Sequence, residues 1–241
     1  MRYYFLVTTV LSLIACAEPV GKKISKIPEA SGISYCNNSN TLVVASDKGS
    51  YYEINPKGKI VQKVKLGKYD LEGVVCEDEQ LVFAIENKGI LLVDRKTGKK
   101  TKVFINTSYH GKKLKLFDKK DGVEGIVKVD NIVYLVKQSN KKKRSFIAVV
   151  KLTPYPGRII DVIEHHLADT AGLTFHEGYM YMVSDKKDLL IKFDLKKKKI
   201  LQKIKLGEGA WEGIAFDTKG NVYLADDDGW VLKYKKKELG L

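Results

Sequence analysis

Three glutamates in this 241-residue chain stand between an apolar residue and a glycine followed by Val or Ile: Leu71-Glu72-Gly73, Val123-Glu124-Gly125 and Trp211-Glu212-Gly213. Other acids recur around the same phrase, at Glu29, Asp70, Asp121, Asp169 and Glu208, and again one strand later at Asp47, Glu86, Asp185 and Asp226-Asp227-Asp228. Together these are 14 of the 29 acidic residues. Carboxylates held close raise one another's pKa and demand a neutralising partner. Calcium suits them, being a hard cation that tolerates irregular oxygen geometry from separate loops. Glu72, Glu124 and Glu212 are the expected inner ligands, because the bare glycine after each lets the backbone approach closely. Glu29, Asp169, Asp47, Asp185 and Asp227 complete the candidate metal set. Lysines such as Lys48, Lys88 and Lys186 folded over the acids are the alternative neutralisers. The run 226–229 resembles half of a calcium loop, although Asp-Gly in a hairpin is also an ordinary turn.

Other chemistry is scarce. His110, His165, His166 and His176 show no metal-ligand spacing, and no Gly-x-Ser-x-Gly elbow or Cys-x-x-Cys pair occurs. His165-His166 reads as a solvated pair on an outer strand. No catalytic residue is assigned, although a metal on the carboxylates could activate water.

The acids belong to a repeat. Ala30-Ser31-Gly32-Ile33, Leu71-Glu72-Gly73-Val74, Val123-Glu124-Gly125-Ile126, Thr170-Ala171-Gly172-Leu173 and Trp211-Glu212-Gly213-Ile214 place their glycines 41, 52, 47 and 41 residues apart. Periods of about 40–50 residues mark propellers and solenoids. Each repeat divides into four short alternating or apolar runs separated by Asn, Asp, Pro and Gly turns. The spacing predicts an all-β, five-bladed β-propeller of four-stranded antiparallel blades. The last repeat lacks a fourth strand, while residues 21–27 form an orphan alternating run, so the N-terminal strand is expected to close the ring and remove its open edges. Six blades are the alternative, should the 52-residue interval hide a further element; residues 107–120 read instead as a long inter-blade loop. The first strand of a blade is innermost and antiparallel to the second. Both sets of acids therefore fall on one mouth of the central channel.

Residues 1–16 stand apart as a signal segment, leaving 17–241 as a single propeller domain. Residues 3–14 are apolar but too short to span a bilayer. They lead into Leu13-Ile14-Ala15-Cys16, which resembles a lipobox whose Cys16 becomes the lipidated residue; an ordinary signal cleaved near Ala15 or Ala17 is the alternative. The expected location is the bacterial cell envelope, lipid-anchored and facing the periplasm or the cell surface. Cys36 and Cys76 then remain as an even pair near the ends of adjacent inner strands, either disulfide-bonded or as buried thiols. Net charge is +14, but 39 of the 43 basic residues are lysine. Nucleic-acid recognition leans on arginine's planar fork, so nucleic acid is not an expected partner. Runs such as 141–143 and 196–199 read as solvated hairpin tips, with attraction to anionic lipid as a secondary role.

Two dialects alternate in the repeat. An acid stands three before the glycine in Glu29-Ala-Ser-Gly-Ile33 and Asp169-Thr-Ala-Gly-Leu173, and a glutamate directly before it in repeats two, three and five. With the closing Gly220-Asn-Val-Tyr-Leu-Ala-Asp226, the chain is similar to the SdiA-regulated family of exported bacterial β-propellers, from about residue 21 onward. It also resembles the wider superfamily of NHL-repeat, gluconolactonase/regucalcin-like and esterase-like phytase proteins. The resemblance implies a cell-envelope protein and, by the lactonase-like relatives, a divalent metal on channel-face acids. Ala171 departs from Ser31 and brings no glutamate beside its glycine, which leaves the acid ring incomplete there, with room for a substrate or water. The resulting expectation is a binding module for an unidentified small molecule or envelope protein. A metal-dependent hydrolase, lactonase-like or phosphoesterase-like, is the alternative.

Overall fold

The computed structural model describes residues 19–118, 120–141 and 144–241. Cys16, with the segment read as a signal before it, lies outside them, as do Lys142 and Lys143 of the 141–143 run.

Strand β1 (Lys22–Lys26) precedes blade one, which comprises β2 (Ala30–Cys36), β3 (Thr41–Ser46), β4 (Ser50–Ile54) and β5 (Ile60–Lys65). Blade two is β6 (Leu71–Cys76), β7 (Gln80–Ile85), β8 (Gly89–Asp94) and β9 (Lys100–Val103). After the short strands β10 (Ile105–Asn106), β11 (Ser108–Tyr109) and β12 (Lys112–Lys113), blade three follows as β13 (Val123–Val129), β14 (Ile132–Lys137), β15 (Phe146–Lys151) and β16 (Gly157–Ile163). Blade four is β17 (Thr170–His176), β18 (Tyr179–Ser184), β19 (Leu189–Asp194) and β20 (Lys199–Lys205). Blade five is β21 (Trp211–Phe216), β22 (Asn221–Asp226) and β23 (Trp230–Lys235), completed by β1 pairing antiparallel to β23. Five blades closed by the N-terminal strand is the architecture the repeat predicts.

The 52-residue interval does hide structure, but not a sixth blade. β10 joins the outer edge of blade three, parallel to β16, and β11 and β12 form a two-residue hairpin. The segment read as a plain loop is thus a folded insertion.

The inner strands are buried along most of their length, whereas β5 is exposed along most of its own. Inner strands packed between neighbouring sheets read as apolar runs for this reason. Between blades the core is aromatic and β-branched: Tyr223, Leu42 and Ile54 pack between blades five and one, and Phe83, Val43 and Leu81 between one and two. The lysines of 196–199 are exposed at the β19–β20 turn. No helix of the described residues is long and apolar enough to cross a membrane.

The repeat glycines form the hub. A Cβ on Gly32 would sit 2.7 Å from the Glu72 carbonyl, on Gly73 2.8 Å from the Ile126 nitrogen, on Gly172 2.5 Å from the Glu212 carbonyl and on Gly213 3.0 Å from the Ile33 nitrogen; on Gly125 it would meet the Ala171 carbonyl. Each contact is with the next blade, and the series returns to its start. Glycine is required five times because five backbones converge.

Cys36 and Cys76 are joined as a disulfide between blades one and two, with Cα atoms 5.4 Å apart at the ends of β2 and β6. Of the two states left open by the sequence, the structure has the bonded one.

Candidate functional site

The two dialects of the repeat are two ways of turning into the inner strand. In blades one and four, Glu29 and Asp169 occupy left-handed backbone with φ of 48° and 56°. Ser46 and Ser184, at the ends of β3 and β18, brace these turns by donating to the Pro28 and Ala168 carbonyls at 2.9 and 3.0 Å. In blades two, three and five the acid lies within the strand itself, one residue before the hub glycine, at Glu72, Glu124 and Glu212.

These acids meet at one end of the ring. Glu72 hydrogen-bonds both Glu124 and Asp70, and Asp70 also bonds Glu86. Glu29 bonds Asp47 and forms an ion pair with Lys48. Asp227 faces Glu29, and Asp185 faces Asp169. Glu212 feels Asp227, Glu124, Asp185 and Asp47, residues of blades five, three, four and one. All eight candidate ligands therefore belong to one electrostatic network.

Burial, reinforced by neighbouring carboxylates, pushes most of the network up. Glu72 lies well above the ordinary range, buried and faced by Glu124 and Glu212. Burial raises Glu212 to about 9, Glu86 to about 8, and Glu124 and Asp47 to about 7. Asp185, Asp226 and Asp227 are raised in the same way. Glu29 runs the other way, held low by its bonds to Asp47 and Lys48. A hydrogen bond between two carboxyls needs a shared proton, so near neutral pH this rim holds protons as well as charges.

The lysine alternative is only partly realised. Lys48 pairs with Glu29, but Lys186 directs its ammonium to Asn140 and offers Asp169 its backbone N–H, 3.0 Å away. Lys88 makes no ion pair among the described residues. The sequence reading missed Lys137, at the end of β14 where the other blades carry Ser46, Ile85, Ser184 and Asp226. It is buried, its ammonium donates to the Asp121 and Gln138 carbonyls, and burial pushes its pKa down. The strand-end register was the signal that could have found it.

The donor set is all carboxylate oxygen and suits a hard cation in kind. In arrangement it is pairwise: among the described residues no three His, Cys, Asp or Glu side chains converge at metal-ligating spacing. The axis below is narrow. Glu72, Glu212, the hub glycines and the residues after them, Ile33, Val74, Ile126, Leu173 and Ile214, enclose about 10 Å³, space for a single water at most. Ala171 itself is fully buried, and the axial space beside the following Gly172 holds no more than a water.

His165 departs from the sequence reading. β16 ends at Ile163, and His165 is buried while His166 is exposed. Its Nδ1 accepts the Leu167 N–H at 3.2 Å, so the proton sits on Nε2, which faces Ser145 Oγ at 3.3 Å. Ser145 in turn donates to the Lys137 carbonyl at 2.8 Å. With the imidazole acting as donor and burial pushing its pKa down to about 4, this pair braces the chain and does not activate the serine.

Comparison with known proteins agrees with the fold. The chain resembles the crystal structure of Myxococcus xanthus glutaminyl cyclase with a TM-score of 0.65 over 90% of this chain and 94% of that one, at 11% identity. Such a likeness carries the fold alone. In all, 1406 solved chains match, so the architecture by itself selects no function. None of the curated proteins compared matches the chain. The profile of the SdiA-regulated family matches residues 17–228, all of the propeller up to β23. The chain is a member of the SdiA-regulated family.

Proposed function

We propose that this propeller is a binding module of the bacterial cell envelope, tethered through lipid on Cys16, whose acidic rim exchanges protons for a calcium-class cation. One observation carries the reading: Glu212, inside the ring, is raised to about 9 by burial and by carboxylates of four blades. A carboxylate network this poorly compensated has two ways to be neutral, shared protons or a cation, and the two compete. Glu72, Glu124 and Glu212, which do not converge as a trio in this structure, would have to draw together as their protons leave in order to hold the cation, with Asp47, Asp227, Asp185, Asp169 and Glu29 around them. Cation uptake then releases protons and tightens as pH rises. The lipid tether rests on the lipobox-like residues 13–16 and would hold the module at the membrane.

The test is a thermal melt of the chelator-washed protein with and without millimolar calcium, at pH 6 and pH 8. Calcium is expected to raise the melting temperature, and to raise it more at pH 8. An unchanged melt at both pH values removes the cation. The same samples can be offered lactone and phosphoester substrates: chelator-sensitive turnover lost in Glu72→Gln would replace the binding reading with a hydrolase. Radioactive palmitate incorporation abolished by Cys16→Ser tests the anchor separately.

A further inference from the structure

The longest interval between hub glycines is also where the rim face departs from fivefold regularity. The folded insertion between β9 and β13 lines a cavity of about 460 Å³ at the rim end of blade three. Small-molecule sites span roughly 300–1,000 Å³, and functional residues gather on loops held by a rigid scaffold. Leu114, Asp118 and Asp121 come from the insertion, Lys137 ends β14, Phe146 opens β15 and Glu164 follows β16. Arg144 and Lys115 complete its polar wall and are both exposed.

Lys137 is only 5% exposed. Two of its ammonium protons go to the Asp121 and Gln138 carbonyls, leaving a third without a partner among the described residues. Arg144 lines the same cavity, and no carboxylate of the described residues makes an ion pair with either cation. An anionic group set between them would satisfy the free donor and relieve their repulsion. The guanidinium suits a carboxylate, which it can grip with two parallel hydrogen bonds. Among the described residues of the wall, three basic ones (Lys115, Lys137, Arg144) balance three acids (Asp118, Asp121, Glu164). A simple anion or cation would gain against one set and lose against the other. A net-neutral ligand carrying both signs gains against both. Leu114, Phe146 and Val162 supply apolar surface beside these charges.

We propose that this cavity binds a small zwitterion with an apolar body, of the amino-acid or short-peptide class, its carboxylate between Lys137 and Arg144 and its apolar side chain against Phe146 and Leu114. The site lies outboard of the axial rim and does not depend on a cation there.

The test is titration calorimetry of the full propeller with the dipeptide leucyl-phenylalanine, its C-terminal amide and its N-acetyl derivative. Saturable one-to-one binding of the dipeptide is expected. The amide, the N-acetyl form and Arg144→Gln should each weaken it about tenfold or more, ~1.4 kcal/mol. Arg144 is exposed, so its variant keeps the fold even where Lys137→Met does not. No saturable heat at millimolar dipeptide, or any of the three changes leaving affinity untouched, overturns the proposal.

Discussion

Both ends of the propeller bury acids, and they treat them in opposite ways. At the end away from the rim, Glu53 accepts from Arg95 at 2.9 Å and from Thr41 and Ser39. Asp217 there accepts from Asn221 and Tyr223; burial alone would raise it, but these bonds win and hold it low. The Cys36–Cys76 disulfide lies at this same end, with Arg95 also donating to Cys76 Sγ at 3.4 Å. At the rim, burial among further carboxylates raises Glu72, Glu86, Glu124 and Glu212. One set of buried carboxylates is matched by donors, Asp217 within blade five and Glu53 across blades one and two. The other is matched by fellow acids, a cost to stability that purely structural acids avoid. That contrast is the physical reason for placing function at the rim.

Perturbing the matched end should produce the largest effects. Replacing both Cys36 and Cys76 by serine frees a 40-residue loop, which the loop-entropy relation values at about 4 kcal/mol; denaturant unfolding reads the loss directly. Arg95→Met leaves Glu53 with hydroxyl donors alone and should destabilise by about 3 kcal/mol. If either change is neutral, the far end is not the structural anchor described here.

At the rim the sign reverses. A carboxyl whose folded pKa stands above its unfolded value contributes most at low pH and loses that contribution as pH climbs through the folded pKa. With values of about 7 for Asp47 and Glu124, 8 for Glu86 and 9 for Glu212, the cation-free protein should lose stability steadily between about pH 4.5 and pH 9. Glu212→Gln should therefore stabilise the chelator-washed protein at pH 8 by roughly 1–2 kcal/mol, since each pKa unit corresponds to about 1.4 kcal/mol and water entering the rim reduces the full value. At pH 5 its effect should nearly vanish. Melting curves at the two pH values check it; an equal loss of stability at both would place Glu212 with the matched acids.

Much of this was legible in the sequence because a propeller repeats itself. Five Gly phrases at 41–52-residue spacing give the blade count, and the orphan strand before Glu29 gives the closure. The glutamates before Gly73, Gly125 and Gly213 could be placed together at the mouth because strand direction alternates within every blade. What escaped was long-range or singular. The two-residue parallel pairing of β10 with β16 has no local signature. His165 is buried by residues distant in sequence, and Lys137 ends an apolar run where a lysine looks like an ordinary strand terminus. That acids would meet in pairs, with no trio at ligating distance, depends on side-chain geometry that spacing does not encode.

The most direct test of the central claim is a carbon-13 NMR titration of the glutamate carboxyls in chelator-washed protein. The network predicts that Glu212 titrates near 9 and Glu124 near 7, with Glu72 also well above the ordinary glutamate range and the three curves mutually dependent. Independent midpoints near 4.5 for all three would contradict it.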